Sequence, residues 1–234
     1  MKRGQLTANL REWTSTLLFA LGFTQFAASA VQVDGTSMLP TLRHGEVLLL
    51  PKLEGWAHRV GWGQYQRGDI VVFKPPRDME AEWTNQYRGL PLPWKYRPYL
   101  VKRVVGMPGD TVQIRAGVLY VNGRRVDEPG VLNYWQSFCH DVASDLANTS
   151  PVRIPARQYF VMGDNRSPGG SLDSRVFGPV SVHDIAARAP LSVLPLLRQG
   201  QVTPPCDTQP HPEQRTQPGG ALDWNPRLLR PAGR

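Results

Sequence analysis

The chain has 234 residues, enough for one or two domains, and its 41% hydrophobic content excludes wholesale disorder. Glycine and proline number 22 each, a density that excludes a long-helix or coiled-coil protein and favours short strands joined by turns. Lys plus Arg outnumber Asp plus Glu by 27 to 19, and the resulting +8 suits anionic lipid or nucleic acid without choosing between them.

Residues 1–12 carry Lys2, Arg3 and Arg11 against a single acid, Glu12, and then no charge occurs from Trp13 to Val33. As a helix those 21 residues span about 31 Å at 1.5 Å per residue, close to one hydrocarbon core. The flanking positive charge places residues 1–12 in the cytoplasm and everything after Val33 outside. No polar face recurs at helical spacing, which argues against a buried core helix. A cleavable signal peptide is the rival reading, because Ala28-Ser29-Ala30 has the small-x-small pattern of a cleavage site. An uncleaved signal anchor over 13–33 is preferred, with a domain over 34–198 behind it.

In chain order, strands are expected over 46–50, 70–74, 100–105, 111–114, 118–121 and 159–162, with turns at Arg67-Gly68-Asp69, Met107-Pro108-Gly109-Asp110 and Asn122-Gly123. Residues 53–66, holding Trp56, Trp62 and Tyr65 among glycines and basic residues, read as a loop with an interfacial look. Residues 75–98 read as a long Pro- and aromatic-rich loop, and 127–157 as an insertion carrying Cys139. Segments 176–182 and 185–197 close the core. From residue 199 to 234 Pro, Gln and Gly dominate, so a disordered tail is expected. The fold class is mostly β, with one N-terminal transmembrane helix. Cys139 and Cys206 are too few for a disulfide scaffold and have no metal-ligand spacing, and no cofactor is expected.

Three segments carry candidate chemistry. In Gly35-Thr36-Ser37-Met38-Leu39-Pro40-Thr41 a serine sits on a restrained turn where backbone amides can converge on one spot. Taken alone it reads equally as an ordinary turn serine, and it is not the Gly-x-Ser-x-Gly elbow. Lys102 shares strand parity with Leu100 and Val104, so an apolar face there would desolvate the amine and disfavour its charged form. A neutral lysine is a competent general base, although an exposed strand lysine fits the pattern too. Finally, Gly163-Asp164-Asn165-Arg166 and Ser171-Leu172-Asp173-Ser174-Arg175 offer Asp–Arg pairs able to hold a loop in shape, and a hydroxyl able to orient an amine. None of the five histidines sits in a local motif.

Together these segments resemble the bacterial type I signal peptidases, serine proteases that use a Ser/Lys dyad. Four blocks stand in family order: GTSMLPTL at 35–42, RGDIVVFK at 67–74, YLVKRVVGMPGD at 99–110, and GDNR with SLDSR over 163–175. The resemblance covers about residues 12–196. It implies a signal-peptidase-like β catalytic domain in which Ser37 is the acylating nucleophile and Lys102 its general base. Met38 would floor the nucleophile, and the Ser37 N–H would be one oxyanion donor. Some members place a second donor, a serine, two positions earlier; this chain has Gly35 there, so the backbone or Thr36 must serve. Ser171 matches the hydroxyl that orients the lysine, and Asp173 and Arg175 the supporting ion pair. Four residues, Ser167 to Gly170, separate Arg166 from Ser171, where the family usually has two.

The resemblance further implies a monomeric membrane enzyme that cleaves signal peptides from exported preproteins, engages the lipid bilayer and binds no nucleic acid. Small residues would be required at the first and third positions before the cut. The alternatives are a processing peptidase of conjugation type, a self-cleaving repressor, which lacks its DNA-binding region here, and a non-catalytic membrane-anchored adaptor, which has no use for both Ser37 and Lys102.

Overall fold

A computed structural model describes residues 11–20, 22, 27–80, 83–87, 90–115, 117–128, 130–131, 148–166, 169–194, 197–199, 222–224 and 227–229. A helix (α1) covers 11–20. The chain then runs through β1 (Ala28–Gln32), β2 (Val47–Pro51), α2 (Lys52–Arg59), β3 (Ile70–Phe73), β4 (Thr84–Tyr87), β5 (Leu90–Tyr96) and β6 (Leu100–Gly106). It continues with β7 (Thr111–Arg115), β8 (Val118–Val121), β9 (Arg124–Arg125), β10 (Val152–Arg153), β11 (Gln158–Met162), α3 (Ser174–Phe177), β12 (Val180–Ser181) and β13 (Ile185–Arg188). Last come β14 (Leu191–Leu194), β15 (Leu197–Gln199), β16 (Leu222–Trp224) and β17 (Arg227–Leu228). The expected mostly-β fold is what forms.

Position in the sheets explains the composition of the strands. A five-stranded sheet has the order β12-β11-β6-β3-β13, which puts β3 and β6 inside it. Both faces of β3 are covered, so Ile70-Val71-Val72-Phe73 is apolar at every position rather than alternating. Ile70 and Val72 enter one cluster with Val33, Met38, Leu42, Leu48 and Leu50. Val71 and Phe73 enter another with Tyr65, Val104, Tyr159, Val161 and Ile185. A second sheet, β1-β2-β14-β17, lies over the first cluster, and a third, β10-β7-β8-β9, closes around Ile114, Leu119, Ile154 and Phe160.

Several expectations are corrected. The uncharged run does not stay helical to Val33: Ala28–Gln32 is a strand in full antiparallel register with Val47–Pro51. Among the described residues no helix is long and apolar enough to cross a membrane. Residues 52–59 are helix rather than loop, with Glu54 in the first turn and His58 and Arg59 in the last, matching the helix dipole. Tyr65, expected at an interface, is wholly buried, with its ring edge-on to His58 and Tyr159. Residues 75–98 contain a hairpin, β4 with β5. The segment 127–157 supplies strand β10 and a buried Glu128; Cys139 lies outside the described residues. The tail expected to lack order contributes β16, paired with β15, and β17, paired with β14, while Leu229 packs on the first cluster. Cys206 also lies outside the described residues.

Candidate active site

The turn carrying Ser37 is fixed from beneath. Val33 N–H donates to Glu46 O (2.7 Å) and Gly45 N–H to Val33 O (2.8 Å), so residues 33–46 form a closed loop between β1 and β2. Met38 and Leu42 are buried in the core under that loop, and the Leu42 N–H donates to Met38 O (2.9 Å). Ser37, just ahead of Met38, is half-buried. Gly35 has φ +89°, a conformation that side-chain-bearing residues rarely adopt, which accounts for glycine where a serine stands in other family patterns. Its N–H donates to His44 Nδ1 at 3.2 Å.

Lys102 reaches this turn from the central strand. It pairs in register with Val71, and its neighbours of equal parity, Leu100 and Val104, pack in the same cluster as Val71, as the alternation in the sequence implies. Lys102 is only 3% exposed. Its Nζ lies 2.7 Å from Ser37 Oγ and donates to Val101 O at 3.0 Å. An amine at hydrogen-bond distance from a hydroxyl, away from bulk water, can take that hydroxyl's proton during nucleophilic attack.

The loop 163–166 grips the turn from the other side. The Asn165 N–H donates to Ser37 O (3.0 Å) and Asn165 Nδ2 to Thr36 O (3.3 Å). Asp164 accepts from the Thr41 hydroxyl. A Cβ on Gly163 would collide with Ser171 and come 2.5 Å from Ser37 O, so the Ser171 side chain and the Ser37 carbonyl meet at this glycine. Ser171 Oγ donates to Asp173 Oδ2 (2.8 Å), which also accepts from Gly163 N–H (2.9 Å) and Arg175 Nη2 (2.8 Å). Arg175 Nε completes a bidentate pair on Asp173 Oδ1 (2.8 Å). Burial alone raises the Asp173 pKa, but the hydrogen bond and charge of Arg175, with the Gly163 N–H and the Ser171 hydroxyl, outweigh it and hold the carboxyl below its ordinary range. Residues 167–168 of the four-residue spacer lie outside the described residues.

Sequence reasoning missed Arg103. The next residue on β6, it is buried as well and must be paired. Nε donates to Asp164 Oδ1 (2.8 Å), Nη1 to Gly68 O (2.8 Å) and Nη2 to Thr41 Oγ1 (3.1 Å). Asp164 therefore pairs with Arg103, not with Arg166 beside it in sequence. Arg166 instead takes Glu128 in a bidentate pair at 2.9 and 3.0 Å. For both arginines burial lowers the pKa, yet the charge of the carboxylate partner raises it further. Glu128 gave no sequence signal, because its partner is 38 positions away.

The family described as "Signal peptidase, peptidase S26" matches residues 7–194 of this chain. The chain belongs to that family. A signal peptidase I from Leptolyngbya laminosa is 32% identical over 190 residues, 81% of this chain and 80% of that protein. A signal peptidase I from Bacillus licheniformis is 35% identical over 172 residues, 71% of this chain and 78% of its own length. A crystal structure of a signal peptidase I from Enterococcus faecalis matches with TM-score 0.37 and 28% identity, covering 54% of this chain and 97% of that one. All four signal-peptidase blocks named above thus fall inside the matched span.

Proposed function

We infer that this chain is a serine endopeptidase that removes signal peptides from preproteins, with Ser37 and Lys102 as its working pair. The 2.7 Å approach of Lys102 Nζ to Ser37 Oγ carries the assignment of residues. In this reading the neutral Lys102 amine takes the hydroxyl proton as Oγ attacks the carbonyl carbon of the scissile peptide. Burial favours the neutral amine, since an ammonium loses more hydration on leaving water. The Ser37 N–H stabilises the oxyanion. With the Gly35 N–H engaged by His44, Thr36 is the remaining nearby candidate for the second donor. The intermediate collapses as Lys102 returns its proton to the leaving amine, and water then hydrolyses the Ser37 ester by the same proton path. Met38 floors the nucleophile, Ser171 orients the amine, and the Asp173–Arg175 pair holds Ser171. Replacing Ser37 by Ala or Lys102 by Met should each lower preprotein cleavage by at least about 1,000-fold with the fold intact by circular dichroism; activity surviving in either variant sinks the pair.

We place the enzyme in the cell membrane as a monomer, anchored once by the segment ahead of β1, with the N-terminus cytoplasmic and the catalytic domain outside. Because β1 begins at Ala28, only 15 uncharged residues, Trp13 to Ala27, remain, about 22 Å of helix. The anchor must therefore draw in the turn of Arg11 and Glu12, with long side chains reaching back to the headgroups. Carbonate extraction should leave the chain in the membrane pellet, and external protease should digest all but its N-terminal segment. Self-cleavage after Ala30 is disfavoured, since that bond is held in sheet register with Leu48 and Leu49.

A further inference from the structure

We propose that Glu128 is a positioning residue for the nucleophile, acting through Arg166 and the backbone of Gly163. The proposal rests on the assignment of Ser37 and Lys102. Glu128 lies just beyond β9, outside all four motif blocks, yet its carboxylate is buried. Its Oε2 accepts from Arg166 Nη1 (3.0 Å) and its Oε1 from Arg166 Nη2 (2.9 Å). Two parallel hydrogen bonds between planar groups fix the guanidinium plane as well as its position. So fixed, Arg166 Nε donates to Gly163 O at 2.9 Å.

Gly163 is where the loop touches the nucleophile turn. It sits so close to Ser171 and to the Ser37 carbonyl that no Cβ fits, and two residues later Asn165 binds the carbonyls of Thr36 and Ser37. Arg166 thus pins from behind the stretch that holds Ser37 from in front. Charge balance points the same way. Arg103, Asp164, Arg166 and Glu128 form a buried group of two cations and two anions, each cation feeling both carboxylates. Without Glu128, the Arg166 guanidinium turns toward Asp164 or solvent, and Nε leaves Gly163 O. The shift passes straight to Ser37, where misplacement of about 1 Å costs on the order of 100-fold in rate.

An ion pair that merely stabilises the fold would change activity only through the amount of folded enzyme. The full chain in detergent, assayed on a preprotein with kcat, KM and Tm recorded for each variant, separates the two. Glu128→Gln should lower kcat by about 10- to 100-fold with KM within about twofold. The double variant Glu128→Gln/Arg166→Met removes both buried charges at similar volume, which restores thermal stability. It should not restore kcat, because methionine offers no N–H to Gly163 O. Wild-type kcat in Glu128→Gln, or recovery of kcat together with Tm in the double variant, overturns the proposal. Should Glu128→Gln fail to fold, Glu128→Asp keeps the charge while shortening the reach, and an unchanged kcat there is equally fatal. Ser37→Ala in the same assay tells the failures apart: an active Ser37→Ala discards the underlying pair, whereas a dead one beside a fully active Glu128→Gln discards only the positioning role.

Discussion

At Asp173, burial and hydrogen bonding pull one carboxyl in opposite directions, and the bonds win. A carboxyl whose folded pKa lies below its unfolded value contributes stability that is complete above the unfolded value, 3.8, and is lost as pH falls through the folded one. Asp173→Asn should therefore melt below wild type at pH 7, by about 1–3 kcal/mol for the lost ion pair with Arg175, and the gap should begin to narrow as pH falls past 3.8. At Gly163 the constraint is volume: Gly163→Ala forces a methyl group against Ser171 and Ser37 O, and we expect at least a tenfold loss of kcat in the preprotein assay. Local pattern alone left Ser37 readable as an ordinary turn serine and Lys102 as an exposed strand lysine, and only the four motif blocks standing in family order singled them out. Arg103 and Glu128 were not readable, since each acquires its role from a partner tens of residues away.

Strands on the inside of a sheet were readable as elements; α2 and the β4–β5 hairpin were not. Gly55 made 52–59 look like a loop, but in the helix it allows close approach to Ala186, whose carbonyl would lie 2.6 Å from a Cβ there. Prolines 91 and 93 disguised β5, and a two-stranded ribbon with an exposed edge tolerates them. The three aromatics grouped as interfacial divide by element. Trp56 on α2 and Trp62 after it are 43% and 81% exposed, whereas Tyr65 belongs to the core. Leu53 and Trp56 lie on one side of α2, whose first N–H, from Lys52, donates to Ala27 O just ahead of β1. Trp56→Ser with Trp62→Ser should lower cleavage several-fold in lipid vesicles and leave it unchanged in detergent. Tyr65→Ala should instead lose about 3 kcal/mol of stability in either medium, read by denaturant unfolding.

The whole molecule is held by antiparallel pairings between segments far apart in sequence, which is why topology was less visible than strand position. The tail shows this most clearly: its composition suggested no order, yet β17 caps the free edge of β14 and the Leu229 N–H donates to Pro190 O at 2.8 Å. Deleting residues 200–234 should lower stability by about 1–2 kcal/mol, the burial of one partly covered leucine, with kcat unchanged in detergent. On the anchored topology proposed above, the second sheet also stiffens the connection between the anchor and the nucleophile. Five residues of β1, rising about 3.3 Å each, replace what would otherwise be slack chain between anchor and turn. A paired strand of about 16 Å, not a free linker, thus leads from residue 27 to the turn that carries Ser37.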